Sequence, residues 1–441
     1  MTQTPSPDPT PESNSPMTSE SANPPSKRSR WIKLGIGAAI VLTAGIGYWR
    51  LRVYVYTQLV PQIESTLLKM IDRPVEMGAV EGFSPIGIRF GPTTLPATPT
   101  DTDAAIANAI QVHFNPLTLL IRQELNLRLT LVEAAAALDQ DISGQWFNTQ
   151  INTLEPGPIE IKLRQINLKN ATVSLQPFAP SFESPPPSII LGNINGQVQL
   201  RDDNQRFLID VEGEPNAGGA FRINGDVQLA TSDPLDIPLL FDGRIETDRL
   251  PLAALAPLGA DYVPAQFGQI THGFLNSGVT IRVPNPADTR ALAPDLELWG
   301  SAEIWDLSLK IPGLPSPIEK GNGRFVFKGE RINLRSGEAR YGTIRANASG
   351  RIHLQDGYSI KASIPSAPIA DILAATQLTL PIAAKGAFES QLRLTGPLAD
   401  PLVTGLIKNK NKIWVDNLRL DTVKARIRAT TQTLNINTIE A

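Results

Sequence analysis

The sequence predicts a mainly β protein that begins with one membrane-spanning helix. From about Ile159 onward, apolar and polar residues alternate with a period of two, the pattern of half-buried strands. Short glycine-containing phrases also recur: "INGQVQL" at 194–200 returns as "INGDVQL" at 223–229 and as "ASGRIHL" at 348–354. A long apolar run at 31–49 precedes this β region.

Composition places the chain among globular proteins. It has 441 residues, of which 41% are hydrophobic and 19% charged, and this length suffices for two or three domains. The net charge of -3 argues against nucleic-acid binding, which requires a basic surface. The chain has no cysteine, which excludes disulfides and thiolate metal sites.

The apolar run at 31–49 is long enough to cross a bilayer, since 19 helical residues span roughly 28 Å. Four cations at 27–33 outnumber two at 50–52, which predicts a single-pass anchor with a cytoplasmic N-terminus. A cleaved signal peptide is the alternative, but no small-residue cleavage motif follows the run. The expected anchor residues are Trp31, Leu34, Ile36, Ile40, Leu42, Ile46, Tyr48 and Trp49.

The glycine phrases predict strands with a glycine on their apolar side. Gly196, Gly225 and Gly350 each share a face with the apolar residues of their phrase, because side chains alternate along a strand. A glycine in this position usually marks a bend, a bulge or a close backbone approach. A shift in alternation at Ile304-Trp305 predicts a further bulge.

The elements recur in order, which predicts a repeat of roughly 110 residues. Leu252 matches Ile369, Gly273 matches Gly386, and Ile304-Trp305 matches Ile413-Trp414. Short helices are expected near 250 and 367, and another at Pro116 with Asn115 as its cap.

The predicted organisation has six segments. The first three are a disordered cytoplasmic tail at 1–26, a signal anchor at 27–52 and a membrane-proximal helix with an α/β module at 53–150. The last three are β repeats with a Pro-rich loop at 151–222, a repeat unit with a short helix at 223–347, and a second repeat unit, apparently truncated, at 348–441.

Catalytic and metal-binding patterns are not found in the sequence. The three histidines are far apart, and "GNGRFV" at 321–326 lacks the third glycine of a dinucleotide-binding loop. The run "KNKNK" at 408–412 could contact anionic lipid, although a solvated turn or edge strand is favoured. We therefore expect a protein that is not an enzyme and that has no cofactor or metal.

Several motifs, in a consistent order over 50–441, resemble the N-terminal part of TamB proteins, the inner-membrane subunits of the translocation and assembly module. The similarity is closest to the cyanobacterial and plastid-envelope branch of this AsmA-like, bridge-like lipid-transfer superfamily. The motifs are "IDRPVEMG" at 71–78, "FNPL" at 114–117, "SGQW" at 143–146 and "GPLADPLVTG" at 396–405. The resemblance implies an elongated, curled and repetitive antiparallel-type β-sheet with a few short helices and a one-sided apolar groove.

The function implied by the resemblance is phospholipid transport between the inner and outer membranes by an inner-membrane protein whose bulk lies in the periplasm. The implied partners are membrane phospholipids and an outer-membrane β-barrel assembly protein, the latter reached through a C-terminal region that is missing here. The residues expected to line the groove are Ile194, Val198, Leu200, Val227, Leu229, Ile352, Leu354, Phe388, Leu392 and Leu394.

Alternation alone leaves other interpretations open. The same apolar residues could form the dry cores of β-sandwich domains. The protein could also be a scaffold or chaperone for outer-membrane β-barrels, acting through exposed sheet edges, or a purely structural β-repeat protein. The final seventeen residues align without a gap with 323–339, where the earlier copy continues, so we expect the chain to be the N-terminal part of a longer protein.

Overall fold

A computed structural model describes most of the chain from residue 73 onward and scattered residues before it. The described residues are 45–46, 49–50, 53, 57, 61, 65, 69, 73–99, 101–122, 124–140, 160–178, 187–202, 205–228, 239–259, 268–284, 297–312, 314–398, 400–430 and 433–440. The expected tail and most of the expected anchor lie outside them. Among described residues, no helix combines the length and apolarity needed to cross a membrane.

The chain divides into two units, 1–60 and 61–441, and every described strand lies in the second unit. The first strands are β1 (Val80–Ser84), β2 (Gly87–Phe90), β3 (Thr93–Leu95), β4 (Ala104–His113), β5 (Glu124–Asp139), β6 (Glu160–Gln176), β7 (Ile189–Arg201), β8 (Arg206–Pro215), β9 (Ala220–Gln228) and β10 (Leu239–Pro251). Then come β11 (Gln269–Pro284), β12 (Glu297–Lys310), β13 (Ile318–Gly329), β14 (Arg331–Tyr341), β15 (Ile344–His353), β16 (Gly357–Pro368), β17 (Ala384–Lys385), β18 (Ala387–Gly396), β19 (Leu402–Asn409), β20 (Ile413–Val415), β21 (Leu418–Leu420), β22 (Lys424–Ala429) and β23 (Leu434–Glu440). The helices are α1 (Pro116–Arg122), α2 (Leu252–Leu255) and α3 (Ile369–Thr376).

Twenty of these strands form one sheet, which confirms the mainly β prediction. From β6 to β23 each strand of this sheet is antiparallel to its neighbour, whereas β5 and β6 are parallel. β17, β20 and β21 form a separate three-stranded sheet. The expected boundaries at 222/223 and 347/348 fall inside β9 and β15, so the successive repeat units belong to the same sheet.

Bulges in the strands coincide with shifts in the sequence alternation. In β12 the register shifts between Ile304 and Leu307, and Asp306 adopts a φ of 53°, which confirms the predicted bulge. Without the extra residue, Asp306 would take the place on the apolar face that Leu307 occupies after the shift. The bulge therefore keeps the apolar residues of β12 on one face.

An asparagine side chain fastens the bulge of β12 to the bulge of β13. The Asn322 carboxamide oxygen accepts a hydrogen bond from the backbone N–H of Asp306 at 3.1 Å, and its Nδ2 donates to the carbonyl of Lys320 at 3.2 Å. Asp306 and Lys320 both have positive φ, 53° and 51°, on adjacent strands. The glycine-flanked Asn322 of "GNGRFV" is therefore a structural latch between two strands.

The same latch occurs 127 residues earlier, in the phrase "INGQVQL". The Asn195 oxygen accepts from the N–H of Asn170 at 2.9 Å, and its Nδ2 donates to the carbonyl of Asn193 at 2.8 Å. Asn170 and Asn193 have φ values of 54° and 51° in β6 and β7. The neighbouring Gly196, with φ 146°, lies so close to the next strand that a Cβ there would be 2.1 Å from the Asp210 carbonyl oxygen. In this first copy of the phrase, Asn195 thus holds two bulged strands together.

The helix positions and the last hairpin agree with the predicted repeat. α2 begins at Leu252 and α3 at Ile369, and the following glycines, Gly273 and Gly386, have φ values of 135° and 132°. The last hairpin, β22–β23, repeats the β13–β14 hairpin at the 102-residue offset of the alignment. In both hairpins the register shifts at the matched position, between 324 and 325 and between 426 and 427.

One sequence match is displaced in the structure. Leu307 lies against Gly273, since a Cβ added at Gly273 would be 3.2 Å from Cδ1 of Leu307. Ile413 lies in the equivalent place against Gly386. The structural counterpart of Ile413 is therefore Leu307 and not Ile304. The reason is that β12 is continuous through its bulge, whereas its second copy is divided between β19 and β20.

A buried arginine organises the start of the sheet. Arg73 of the "IDRPVEMG" motif donates hydrogen bonds to the Asp101 carboxylate at 3.1 Å and to the Pro96 carbonyl at 2.7 Å, and its side chain is 5% exposed. The nearby Asp103 accepts a hydrogen bond from the Asp139 N–H at 2.8 Å, and burial raises the pKa of Asp103. These contacts join the segment before β1 to the loop between β3 and β4.

Replacement of Arg73 by alanine is expected to destabilise the protein by about 3–5 kcal/mol, because it removes the cation that balances the largely buried Asp101 carboxylate. The control is Arg89→Ala, which removes a half-exposed pair with Glu81 and should cost less than about 1 kcal/mol. Urea unfolding of the purified variants measures both values. Equal small losses of stability would show that the Arg73 pair is not structural.

Asn322→Ala is expected to cost about 1–2 kcal/mol, since it removes two hydrogen bonds at the paired bulges. Asn347→Ala is the matched control, because Asn347 is an exposed asparagine on β15 for which the structure describes no side-chain hydrogen bond. The same urea titration compares the two. If both substitutions change stability equally, the latch does not stabilise the sheet.

Candidate functional site

One face of the sheet carries an unbroken row of apolar residues and glycines. The register aligns one residue from each of twelve strands, from β6 to β18, in this row. Its members are Leu168, Gly196, Val211, Ile223, Ile245, Val279, Gly300, Phe327, Ile332, Ile352, Tyr358 and Gly396. We call this side of the sheet the apolar face.

The apolar face is only partly buried over most of its length. Of the nine large side chains in the row, Val279 is buried and the other eight are partly exposed. A β-sandwich would bury such a row completely between its two sheets. The exposure pattern of the described residues therefore favours a single-layer sheet over a closed sandwich.

The same face is buried at its N-terminal end, over β2, the second half of β4 and the first half of β5. Phe90, Val112, Leu125 and Leu127 are each no more than 1% exposed. Leu129 of β5 pairs with Ile166 of β6, so this buried region is continuous with the partly exposed row. The apolar face thus changes from closed to partly open across the parallel β5–β6 pair.

The structure describes nine of the ten residues expected to line a groove. Val198, Val227, Ile352, Leu392 and Leu394 are partly buried and lie on the apolar face. Leu200 and Ile194 share this face but are buried, at 2% and 6% exposure. Phe388 lies at the end of β18 opposite Ala367, Leu354 lies in the turn after β15, and Leu229 is outside the described residues.

Sequence reasoning missed most of the row, including Val211, Ile245, Phe327 and Ile332. Their strands alternate correctly, but their cross-strand partners depend on a register that bulges alter. The signal that could have identified them is the shift in alternation that accompanies a bulge.

Of the expected anchor residues, Ile46 and Trp49 are described and helical, with exposed side chains, and the other six are outside the described residues.

Short helices lie at one rim of the sheet. α2 follows β10 and α3 follows β16, and these two strands run in the same direction because six antiparallel steps separate them. Ile372 of α3 packs against Ile344 and Ala367, and the Tyr341 hydroxyl donates to the Ala375 carbonyl at 2.9 Å. α3 therefore covers this end of the apolar face.

The opposite face is polar and rich in ion pairs. Arg222 contacts Asp210 at 3.1 Å, and Arg324 contacts Glu303 at 3.2 Å. No group of three or more potential metal-binding side chains occurs in the described part of the chain. The contrast between the two faces makes the apolar face the candidate functional site.

The favoured interpretation of "KNKNK" agrees with the structure. Lys408, at the end of β19, pairs with Glu389 at 2.7 Å. Lys410 donates to the Pro365 carbonyl at 3.1 Å, and Lys412 pairs with Asp421 at 3.6 Å. These lysines therefore lie at a strand end and a turn and have local partners.

Comparisons of the chain with family models, curated proteins and solved structures give no match in any of the three. The class of ligand that the site can bind is therefore inferred from the geometry of the site itself. A partly exposed apolar face, interrupted by glycines and free of clustered titratable groups along the row, suits an apolar ligand without a fixed hydrogen-bonding pattern.

Proposed function

We propose that this protein is a TamB-like, inner-membrane-anchored periplasmic protein whose apolar sheet face conducts phospholipid between the inner and outer membranes. The observation that carries the proposal is the apolar row across twelve strands, eight of whose nine large side chains are partly exposed. A contiguous apolar patch that is partly open to solvent commonly marks a binding surface. Acyl chains match it because they need continuity and apolarity and no polar contacts.

The length of the apolar row across the sheet also supports a conduit. Successive strands are about 4.8 Å apart, so eleven steps between the twelve strands extend over about 50 Å. Such a path is far longer than one acyl chain needs, and a pocket for a single lipid would not require it. In the proposal the sheet curls so that the apolar face lines a groove and the polar face meets water.

The membrane anchor belongs to the same proposal. Ile46 and Trp49, two of the expected anchor residues, are helical, lie three residues apart on one helix face and have exposed side chains. Exposed apolar side chains in this arrangement suit a bilayer. In the proposal this segment holds the protein at the membrane from which lipid is taken.

Leu392→Asp is expected to reduce the phospholipid that co-purifies with the protein by about tenfold or more, because a carboxylate among acyl chains costs several kcal/mol. The control is Gln391→Asp, which introduces the same charge on the polar face of the same strand. Mass spectrometry of lipid extracts, normalised to protein, gives the comparison. Leu392→Asp should still fold, whereas Leu127→Asp in the buried region should not.

Three results would contradict the proposal. Equal lipid content in the Leu392 and Gln391 variants would show that the apolar face does not hold lipid. Loss of folding for Leu392→Asp, as for Leu127→Asp, would show a closed core. Absence of lipid from the wild-type protein, together with cross-links to nascent outer-membrane barrels, would favour a scaffold for barrel assembly.

A further inference from the structure

Four cations surround Asn333 on the polar face. Arg331 and Arg335 flank Asn333 at alternate positions of β14. Lys328 of β13 lies directly opposite Arg331, and Arg351 of β15 lies directly opposite Asn333. All five side chains line one cavity of about 470 Å³, to which no acidic residue contributes. We call the four basic side chains the cation cluster.

The cation cluster has no counter-ion in the described structure. Each of its four members lacks both an ion pair and a hydrogen bond to any described side chain, whereas several other arginines of the polar face are paired. Arg282, for example, contacts Asp242 at 3.3 Å. Lys328 and Arg331 form a directly opposed like-charge pair, which destabilises a sheet. A bound anion would remove this repulsion.

The basic character extends beyond the cluster. Residues 318–430 contain 18 Lys and Arg but nine Asp and Glu, although the whole chain has a net charge of -3. A second cavity, of about 1180 Å³, shares Arg335 with the first and is also lined by Lys361 and Arg393. Its two carboxylates, Glu303 and Glu338, pair with Arg324 and Arg345. Lys361 and Arg393 are directly opposed across β16 and β18, again without a described partner. The positive charge is therefore concentrated where two cavities meet.

We propose that the cation cluster is a binding site for an oligophosphate group. Guanidinium groups donate paired hydrogen bonds to phosphate oxygens, and four cations balance an anion of about four negative charges. The site lies on the polar face, so it is separate from the proposed lipid path and does not depend on it. The phosphates could come from a soluble oligophosphate or from phosphate groups displayed on an anionic membrane surface.

Titration calorimetry with inorganic tripolyphosphate tests the site directly. We expect the full-length protein, in detergent at low salt, to bind with an affinity that Arg331→Gln/Arg351→Gln weakens about 100-fold, or about tenfold for each guanidinium removed. The control double variant, Arg222→Gln/Arg282→Gln, removes the same charge from paired positions of the polar face and should change the affinity less than about threefold. The thermal midpoint of the cluster variant should be no lower than that of the wild type, because repulsion is relieved.

A second measurement distinguishes the sources of phosphate. Protein held in phosphatidylcholine nanodiscs is mixed with phosphatidylglycerol vesicles, with and without tripolyphosphate. Vesicle binding that tripolyphosphate releases supports a membrane-displayed phosphate, and tripolyphosphate binding without vesicle binding supports a soluble ligand. If both double variants bound tripolyphosphate equally weakly, the loss of affinity would follow from net charge alone, and the proposal would be overturned. Failure of the wild-type protein to bind either probe would also overturn it.

Discussion

The structure depends on one face of a single sheet remaining apolar, although bulges interrupt the alternation of apolar and polar residues in several strands. A one-residue slip in a strand moves every following side chain to the other face. In β6 the apolar positions change from Ile166 and Leu168 to Ala171 and Val173, and the extra residue of the bulge absorbs the change. The same compensation at β12 keeps Leu307 on the side of Ile304.

The asparagine latches explain how neighbouring strands can bulge together. Asn195 and Asn322 each bond the backbone of a left-handed residue in their own strand and of another in the adjacent strand. Coupled bulges preserve the register beyond them, so the apolar row remains continuous. The proposed lipid path is in this sense a consequence of local backbone chemistry on the polar side of the sheet.

Local sequence signals predicted a large part of the fold. The cap of α1 is one example, since Asn115 Oδ1 accepts from the Leu117 N–H at 2.9 Å as the "FNPL" motif indicates. The parallel pairing of β5 with β6 was not predictable, because it depends on a connection through 141–159 and not on strand composition. The structural counterpart of Ile413 was not predictable for a similar reason. Strand pairing decides which residues lie side by side, and the second copy of β12 is divided between β19 and β20.

The candidate site was predictable in kind but not in extent. Alternation identified Val198 and Leu392 as apolar-side residues, yet it could not distinguish an open face from a closed core. Partial exposure of the row, which depends on tertiary packing, favours the open form. The cation cluster was missed because Lys328, Arg331 and Arg351 come from three strands and converge only through the register.

Site-specific photo-cross-linking in living cells tests the central claim most directly. A benzophenone amino acid is placed at Ile223, on the apolar row, or at Asn224, its neighbour on the polar face of β9. The account predicts covalent phospholipid adducts at position 223 and a background level at position 224, measured by mass spectrometry of the purified protein. Adducts of equal yield at both positions, or none at 223, would contradict a lipid-bearing apolar face.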